Sequence, residues 1–234
     1  MYRITSFKIR EVLCLFLLLI SVCGNSMAAG RKSKTAESMA RQGLVDIRDV
    51  DPTIKVDLMY AKSSNFTGRI LYTDLKEAYL LPPAARALKR AQQLLKRRHP
   101  SYSLLVYDAA RPMHIQQKMW NVVAHTSKQI YVSNPAHGGG LHNYGMAVDI
   151  SIVDGHGHPL DMGTPVDYMG KKAHVRNENY LVQKGYISKT AYYNRRLLRS
   201  VMTGAGYHVL PTEWWHFNFK TRKQLRAGHY KVIK

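Results

Sequence analysis

The 234-residue chain carries a formal net charge of +20, with 45% hydrophobic and 21% charged residues. That balance excludes a disordered chain and suffices for one domain with a full core. The basic excess draws a protein to polyanions, but no helix-turn-helix, zinc-finger spacing or RNP-type aromatic strand accompanies it. Specific nucleic-acid recognition is therefore not expected, and an anionic cell envelope is the competing attractor.

Residues 1–28 read as a secretory signal. Arg3, Lys8 and Arg10 precede the apolar run from Val12 to Val22, which is too short for a membrane span, and Ser26-Met27-Ala28 offers small residues before a cut. The mature chain is expected to start at Ala29, in the periplasm or outside the cell, with no transmembrane segment. Ile20-Ser-Val-Cys23 has the outline of a lipobox, but Val22 is bulky where a small residue is wanted, so lipid anchoring is the weaker reading. Cys14 and Cys23 both fall in this leader, which leaves a mature chain whose metals must be held by nitrogen and oxygen. Residues 29–43, with Arg31, Lys32, Lys34 and Arg41, are expected to be a flexible basic tail ahead of a single domain over 44–234.

Within that domain, Leu44–Arg48 and Ile54–Met59 alternate like strands around a turn at Asp51-Pro52. Pro82-Pro83 opens a helix to about Arg98, with Leu88, Leu94 and Leu95 inward and a solvated basic face. Ser103–Asp108 reads as a buried strand, and a second helix follows Pro112 to about Ala124. Arg111 lies where strand hands over to helix. Its guanidinium fork can address an oxyanion or carboxylate, or pair structurally with Asp108. Val148-Asp-Ile-Ser-Ile152 alternates as a half-buried strand, Lys171–Lys189 is polar and reads as a loop over the site, and Tyr192–Thr203 reads as a helix ending at Gly204-Ala-Gly206. The mixture argues an α+β fold, with a mainly antiparallel sheet flanked by helices.

Chemistry concentrates in two stretches. Gly138-Gly-Gly-Leu-His142 leads through Gly145 into the strand that carries Asp149, and Pro211-Thr-Glu213-Trp-Trp-His216 lies near the other end. Neutral imidazole and carboxylate suit zinc, and a catalytic zinc takes three protein ligands and keeps a position for water. His142, Asp149 and His216 supply three, and Glu213 can move protons beside them. Glu213 and His216 are three apart, which a regular strand would put on opposite faces, so a bulge, turn or strand end is expected there. Alone, each of these residues would pass for a structural group, with Glu213 a surface or ion-paired carboxylate. Of the remaining histidines, His137 is the strongest spare ligand because it adjoins the glycine run.

The blocks Gly-x-His142-x-x-Gly145-x-Ala147-x-Asp149 and Glu213-Trp-Trp-His216, with Tyr107-Asp108-Ala-Ala-Arg111-Pro112 and Met162-Gly-Thr-Pro-Val-Asp167, resemble the zinc D-alanyl-D-alanine dipeptidases, the VanX-like branch of the D,D-peptidases. Residues 44–52, Tyr60-Ala61 and Asn65–Gly68 agree, so the likeness runs in order from about 44 to 220. It implies a zinc site on the sheet of a D,D-peptidase or hedgehog-like fold, with one zinc held by His142, Asp149 and His216. It also implies Glu213 and Arg111 as catalytic groups, and Asp167, otherwise a turn-capping aspartate, as the residue that holds the substrate ammonium. The implied activity is hydrolysis of D-Ala-D-Ala in cell-wall peptide turnover. A zinc D,D-carboxypeptidase on peptidoglycan stem peptides, or a non-catalytic envelope-binding protein on the same scaffold, stays open beside it. One departure stands out: the family has a serine two residues before the zinc histidine, and here that position is Gly140. The expected result is a larger pocket with weaker discrimination at the C-terminal residue of the substrate.

Overall fold

The computed structural model describes residues 32–234, so the expected leader, its cleavage site and both cysteines lie outside the described residues. The first element is helix α1 (Lys34–Arg41), which corrects the expectation of a flexible tail as far as residue 43. Ser33 caps it by accepting the Ala36 N–H at 3.1 Å. Thr35 ties it down through Asp74, with its hydroxyl donating at 2.7 Å and its N–H at 3.1 Å. Ala36 and Met39, three apart on one face, are buried in the main core. The basic residues around them masked that short apolar face. The compact unit accordingly runs from Lys32, not Leu44.

Two of the expected strands shrink. Leu44–Arg48 yields β1 (Val45–Asp46) and then the single-turn helix α2 (Ile47–Val50), because the Asp46 carboxylate accepts the Arg48 N–H at 3.0 Å and caps a helical turn. Ile54–Met59 yields only β2 (Lys55–Val56). β1 pairs with β3 (Tyr79–Leu80) as a separate two-stranded ribbon. Helix α3 (Pro82–Arg98) starts at its two prolines and buries Ala84, Leu88, Ala91 and Leu95 along one stripe. Buried Gln92 ties that helix to β4 (Ser103–Asp108), its carbonyl accepting the Leu104 N–H at 2.8 Å. Helix α4 (Met113–Val123) follows, then β5 (Ala147–Val153), α5 (Glu178–Gln183), α6 (Lys189–Gly204), β6 (His208–Leu210), β7 (Glu213–Asn218) and α7 (Arg222–Ala227). Most of the polar segment 171–189 is thus ordered around α5, with Glu178 buried against Arg199 at 2.6 Å.

The main sheet has the order β2-β4-β5-β7-β6, with β2–β4 parallel and the other three pairings antiparallel. The fold is α+β with a mixed, mainly antiparallel sheet. β5 is its middle strand and is buried along its whole length, not half-buried as its alternation suggests. Val148, Ile150 and Ile152 join α3 and α6 in the core, while Asp149 faces the other way. Among the described residues, no helix is long and apolar enough to cross a membrane.

Candidate active site

Two irregularities in the sheet gather the site. β4 pairs with β5 regularly from Ser103↔Val153 to Val106↔Ile150, then shifts so that Asp108 lies opposite Asp149. Unbroken alternation would have turned Asp108 into the core beside Leu104 and Val106. The bulge brings it to the face of Asp149 instead. On the other side Asp149 lies directly opposite His216, so their side chains share one face. The expected irregularity near Glu213 is present: β6 pairs Val209 with Phe217 but Leu210 with Glu213. Glu213 therefore reaches the same side as His216, with its Oε2 3.9 Å from Nδ1.

His142 comes from the glycine loop, in a short 3-10 turn over Leu141–Tyr144 closed by Gly145 at φ +65°. A Cβ on Gly145 would meet Leu44 Cδ2 at 2.6 Å and the Leu81 backbone nitrogen at 3.1 Å, so the turn needs glycine for both conformation and space. The loop is locked to the Arg111 segment. Arg111 N–H donates to the His142 carbonyl at 3.0 Å, and the Asn143 amide donates to the Arg111 carbonyl at 2.9 Å.

Each histidine has one ring nitrogen committed and one aimed inward. His142 Nδ1–H donates to the Ala109 carbonyl at 2.7 Å, and His216 Nε2–H donates to Asn218 Oδ1 at 2.9 Å. The free His142 Nε2 and His216 Nδ1 stand 3.2 Å apart, with Asp149 oxygens 3.3 and 3.0 Å from them. Ligands bound tetrahedrally at about 2.0–2.1 Å are separated by roughly 3.3 Å. Two imidazole lone pairs and a carboxylate at that spacing fit a shared divalent cation, and the outer hydrogen bonds fix the tautomers that ligation requires. Burial alone would raise the Asp149 pKa, but His142 and His216 beside it hold the carboxyl below the usual range.

Arg111 makes the structural pair with Asp108 and also lines the cavity. Its Nε donates to Asp108 Oδ2 at 2.9 Å and its Nη1 to Gln116 at 2.9 Å, while Nη2 lies 3.6 Å from Asp149. Desolvation opposes its charge, yet Asp108 and its neighbours hold the pKa well above the ordinary value. It stays a cation in a nearly closed site. Asp108 is itself braced by the Tyr72 hydroxyl, which donates at 2.6 Å.

Asp167 sits on a segment fastened from two sides: Trp214 Nε1–H donates to Thr164 at 2.8 Å, and Arg195 Nε–H to the Met162 carbonyl at 2.7 Å. Its own backbone is left-handed at φ +62°, unusual for a residue with a side chain. Tyr60 donates its hydroxyl to Asp167 Oδ2 at 2.7 Å and presents its ring to Arg111, 5.2 Å from the centroid. Desolvation, then the charge of Asp149, raises the Asp167 pKa to about 7. Burial, chiefly, raises Glu213 to about 8 against the pull of His216.

All six residues singled out in the sequence, Arg111, His142, Asp149, Asp167, Glu213 and His216, line one cavity of about 520 Å³. His137 is not among them. Tyr60, Gln116, Ser133 and Arg222 also line it. Tyr60 lay within a block already quoted for the resemblance, but neither Ser133 nor Arg222 carried a signal, since only the fold brings them together. The expected enlargement at Gly140 is also corrected. A Cβ there would meet Ser133 Oγ at 2.8 Å, so the space is filled from another loop.

Comparison with known proteins supplies a family. The family described as D-ala-D-ala dipeptidase, peptidase family M15, matches residues 40–234. A D-alanyl-D-alanine dipeptidase of Escherichia coli is 30% identical over 174 residues, covering 74% of this chain and 83% of its own. One from Synechocystis is 29% identical over 166 residues, 57% of this chain and 66% of its own. One from Enterococcus faecium is 24% identical over 194 residues, 75% and 90% respectively. With a match across nearly the whole described chain, the protein belongs to the M15 D-Ala-D-Ala dipeptidase family of peptidases.

Proposed function

We propose that this protein is a zinc dipeptidase that hydrolyses D-Ala-D-Ala to two molecules of D-alanine in cell-wall peptide turnover. The observation that carries the reading is Asp167: a carboxyl group, fixed by Tyr60, on the wall of the cavity that holds the His142–Asp149–His216 triad. A carboxylate there favours a substrate with a free ammonium and excludes peptides extended on that side. The family relatives named as D-alanyl-D-alanine dipeptidases support the same substrate.

Zinc held by His142 Nε2, Asp149 and His216 Nδ1 would supply Lewis acidity to the scissile carbonyl and lower the pKa of water from 15.7 to about 7. Glu213 takes the proton from the attacking water and delivers it to the leaving amine nitrogen. Its raised pKa suits both halves of that transfer. Arg111, oriented by Asp108 and Gln116, donates to the carbonyl oxygen as negative charge builds there, so it holds the transition state more tightly than the ground state. Asp167 sets the register by gripping the ammonium. The metal-ligand group has three members among the described residues, which favours a catalytic over a closed structural site.

The deciding assay offers purified protein, with and without zinc, the free dipeptide, its N-acetyl form and a muramyl pentapeptide. Zinc-dependent cleavage of the free dipeptide alone is expected. Equal cleavage of the N-acetyl form would transfer the assignment to a D,D-carboxypeptidase. Export is part of the same proposal, and an envelope form that begins at Met1 on N-terminal sequencing would remove it.

A further inference from the structure

A free dipeptide carries charge at both ends, and the Asp167 assignment accounts for only one of them. Among the cations lining the cavity, Arg111 is held by Asp108 and Gln116 and is already assigned to the scissile carbonyl, and Lys220 holds its ammonium over the Phe219 ring, 5.2 Å from the centroid. Arg222 differs. Its Nη1–H donates to the Gly139 carbonyl and its Nη2–H to Ser133 Oγ, both at 3.2 Å. Among the described residues these two bonds use two of the five donors of a guanidinium and leave three for a ligand.

The position of Ser133 matters as much. Its Oγ lies 2.8 Å from where a side chain on Gly140 would begin, two residues before His142. A hydroxyl is therefore delivered to the cavity wall beside the metal loop, but from residue 133. The backbone that carries that hydroxyl is tied to the reaction centre. Gln116, buried, accepts from Arg111 Nη1–H at 2.9 Å and donates its amide to the Ser133 carbonyl at 2.8 Å. One chain of hydrogen bonds thus runs from Arg111 through Gln116 and Ser133 to Arg222. It fixes a cation and a hydroxyl on a wall built from other segments than the one carrying Asp167.

We infer that Ser133 and Arg222 form the subsite for the C-terminal carboxylate of the substrate. This rests on the dipeptidase reading and adds the residues that recognise the acid end. The guanidinium meets the carboxylate through the donors left free, and the Ser133 hydroxyl, which accepts from Arg222, donates its own proton to the second oxygen.

The test compares D-Ala-D-Ala with its C-terminal amide in wild type, Arg222→Gln, Ser133→Ala and Lys220→Gln. The zinc proteins are assayed by kinetics, and the metal-free proteins by tryptophan fluorescence, since Trp215 lines the cavity. Wild type should prefer the free acid. Arg222→Gln should raise KM and the dissociation constant for the acid about 10- to 100-fold with kcat little changed, and so erase the preference over the amide. Ser133→Ala should shift it in the same direction by less, and Lys220→Gln should keep it. If Arg222→Gln weakens acid and amide equally, or if Lys220→Gln removes the preference instead, the subsite assignment is overturned. Absence of turnover in wild type counts against the dipeptidase reading alone, because the binding titration still decides the subsite.

Discussion

At the scale of single residues, the site separates two carboxyl groups that remain partly protonated near neutrality from one that does not. Asp149 faces two imidazoles and stays ionised, whereas Glu213 and Asp167 are pushed up to about 8 and 7. Glu213→Gln should therefore retain zinc, measured by metal analysis, while kcat falls by about 10²–10⁴. That inactive zinc protein also permits binding to be measured directly. In the proposed role Asp167 must be ionised to grip an ammonium, and its ionised fraction is lost as pH falls through about 7. The dissociation constant of D-Ala-D-Ala should accordingly rise below pH 7, approaching about tenfold per unit. Asp167→Asn keeps the shape and tolerates the left-handed backbone, so in that background binding should be weak and free of this dependence. Calorimetric titration from pH 5 to 8 would detect either outcome, and an unchanged slope in Asp167→Asn would remove Asp167 from the ammonium site.

At the scale of elements, the site depends on departures from regularity. Asp108 faces Asp149 because β4 bulges after Val106, and Glu213 joins His216 because β7 slips against β6. The His142 turn depends on Gly145 in the same way. Gly145→Ala would impose a strained φ costing about 1–3 kcal/mol and push against Leu44 and the Leu81 backbone. The Gly145 carbonyl accepts the Leu81 N–H at 3.0 Å, so movement there also disturbs the start of α3. A lower melting temperature together with weaker zinc affinity is expected. Gly157 has a similar φ of +85° but open space around it, so Gly157→Ala should cost only the backbone strain and leave zinc binding alone. Equal zinc loss in both variants would show that local geometry at His142 is not the cause.

Across the whole molecule, the basic residues of α3 lie outside while its alanines, Leu88 and Leu95 lie in the core, which is how a chain of charge +20 still builds a dense interior. The same core reaches back to α1 through Met39. Met39→Ala should cost about 2–5 kcal/mol, read as a lower urea midpoint, even though Met39 does not line the cavity. A chain starting at Leu44 would lose that contact and the Thr35–Asp74 pair as well, and should unfold earlier still. An unchanged midpoint for Met39→Ala would mean that α1 unfolds apart from the rest.

Local chemistry in the sequence determined the helix from Pro82 to Arg98, the strand from Ser103 to Asp108, and His142, Asp149, His216 and Glu213 as a candidate metal group, because prolines, apolar stripes and ligand types act over a few positions, whereas Asp167 was marked only by its likeness to the family's blocks. It misjudged residues 32–43, where two small apolar contacts outweigh a basic appearance only once Asp74 and the core are in place. It also misjudged the strand around Asp149, whose polar residues are buried because neighbouring strands pair with them. Tertiary structure alone decided which nitrogen of each histidine faces the triad, how Asp108 orients Arg111, and that Ser133 fills the space at Gly140. Those outcomes depend on cross-strand register and on loops meeting across 33 to 89 positions of sequence, as His142 does with Ala109 and Ser133 with Arg222. Residue spacing along the chain does not encode a distance that the sheet's register sets.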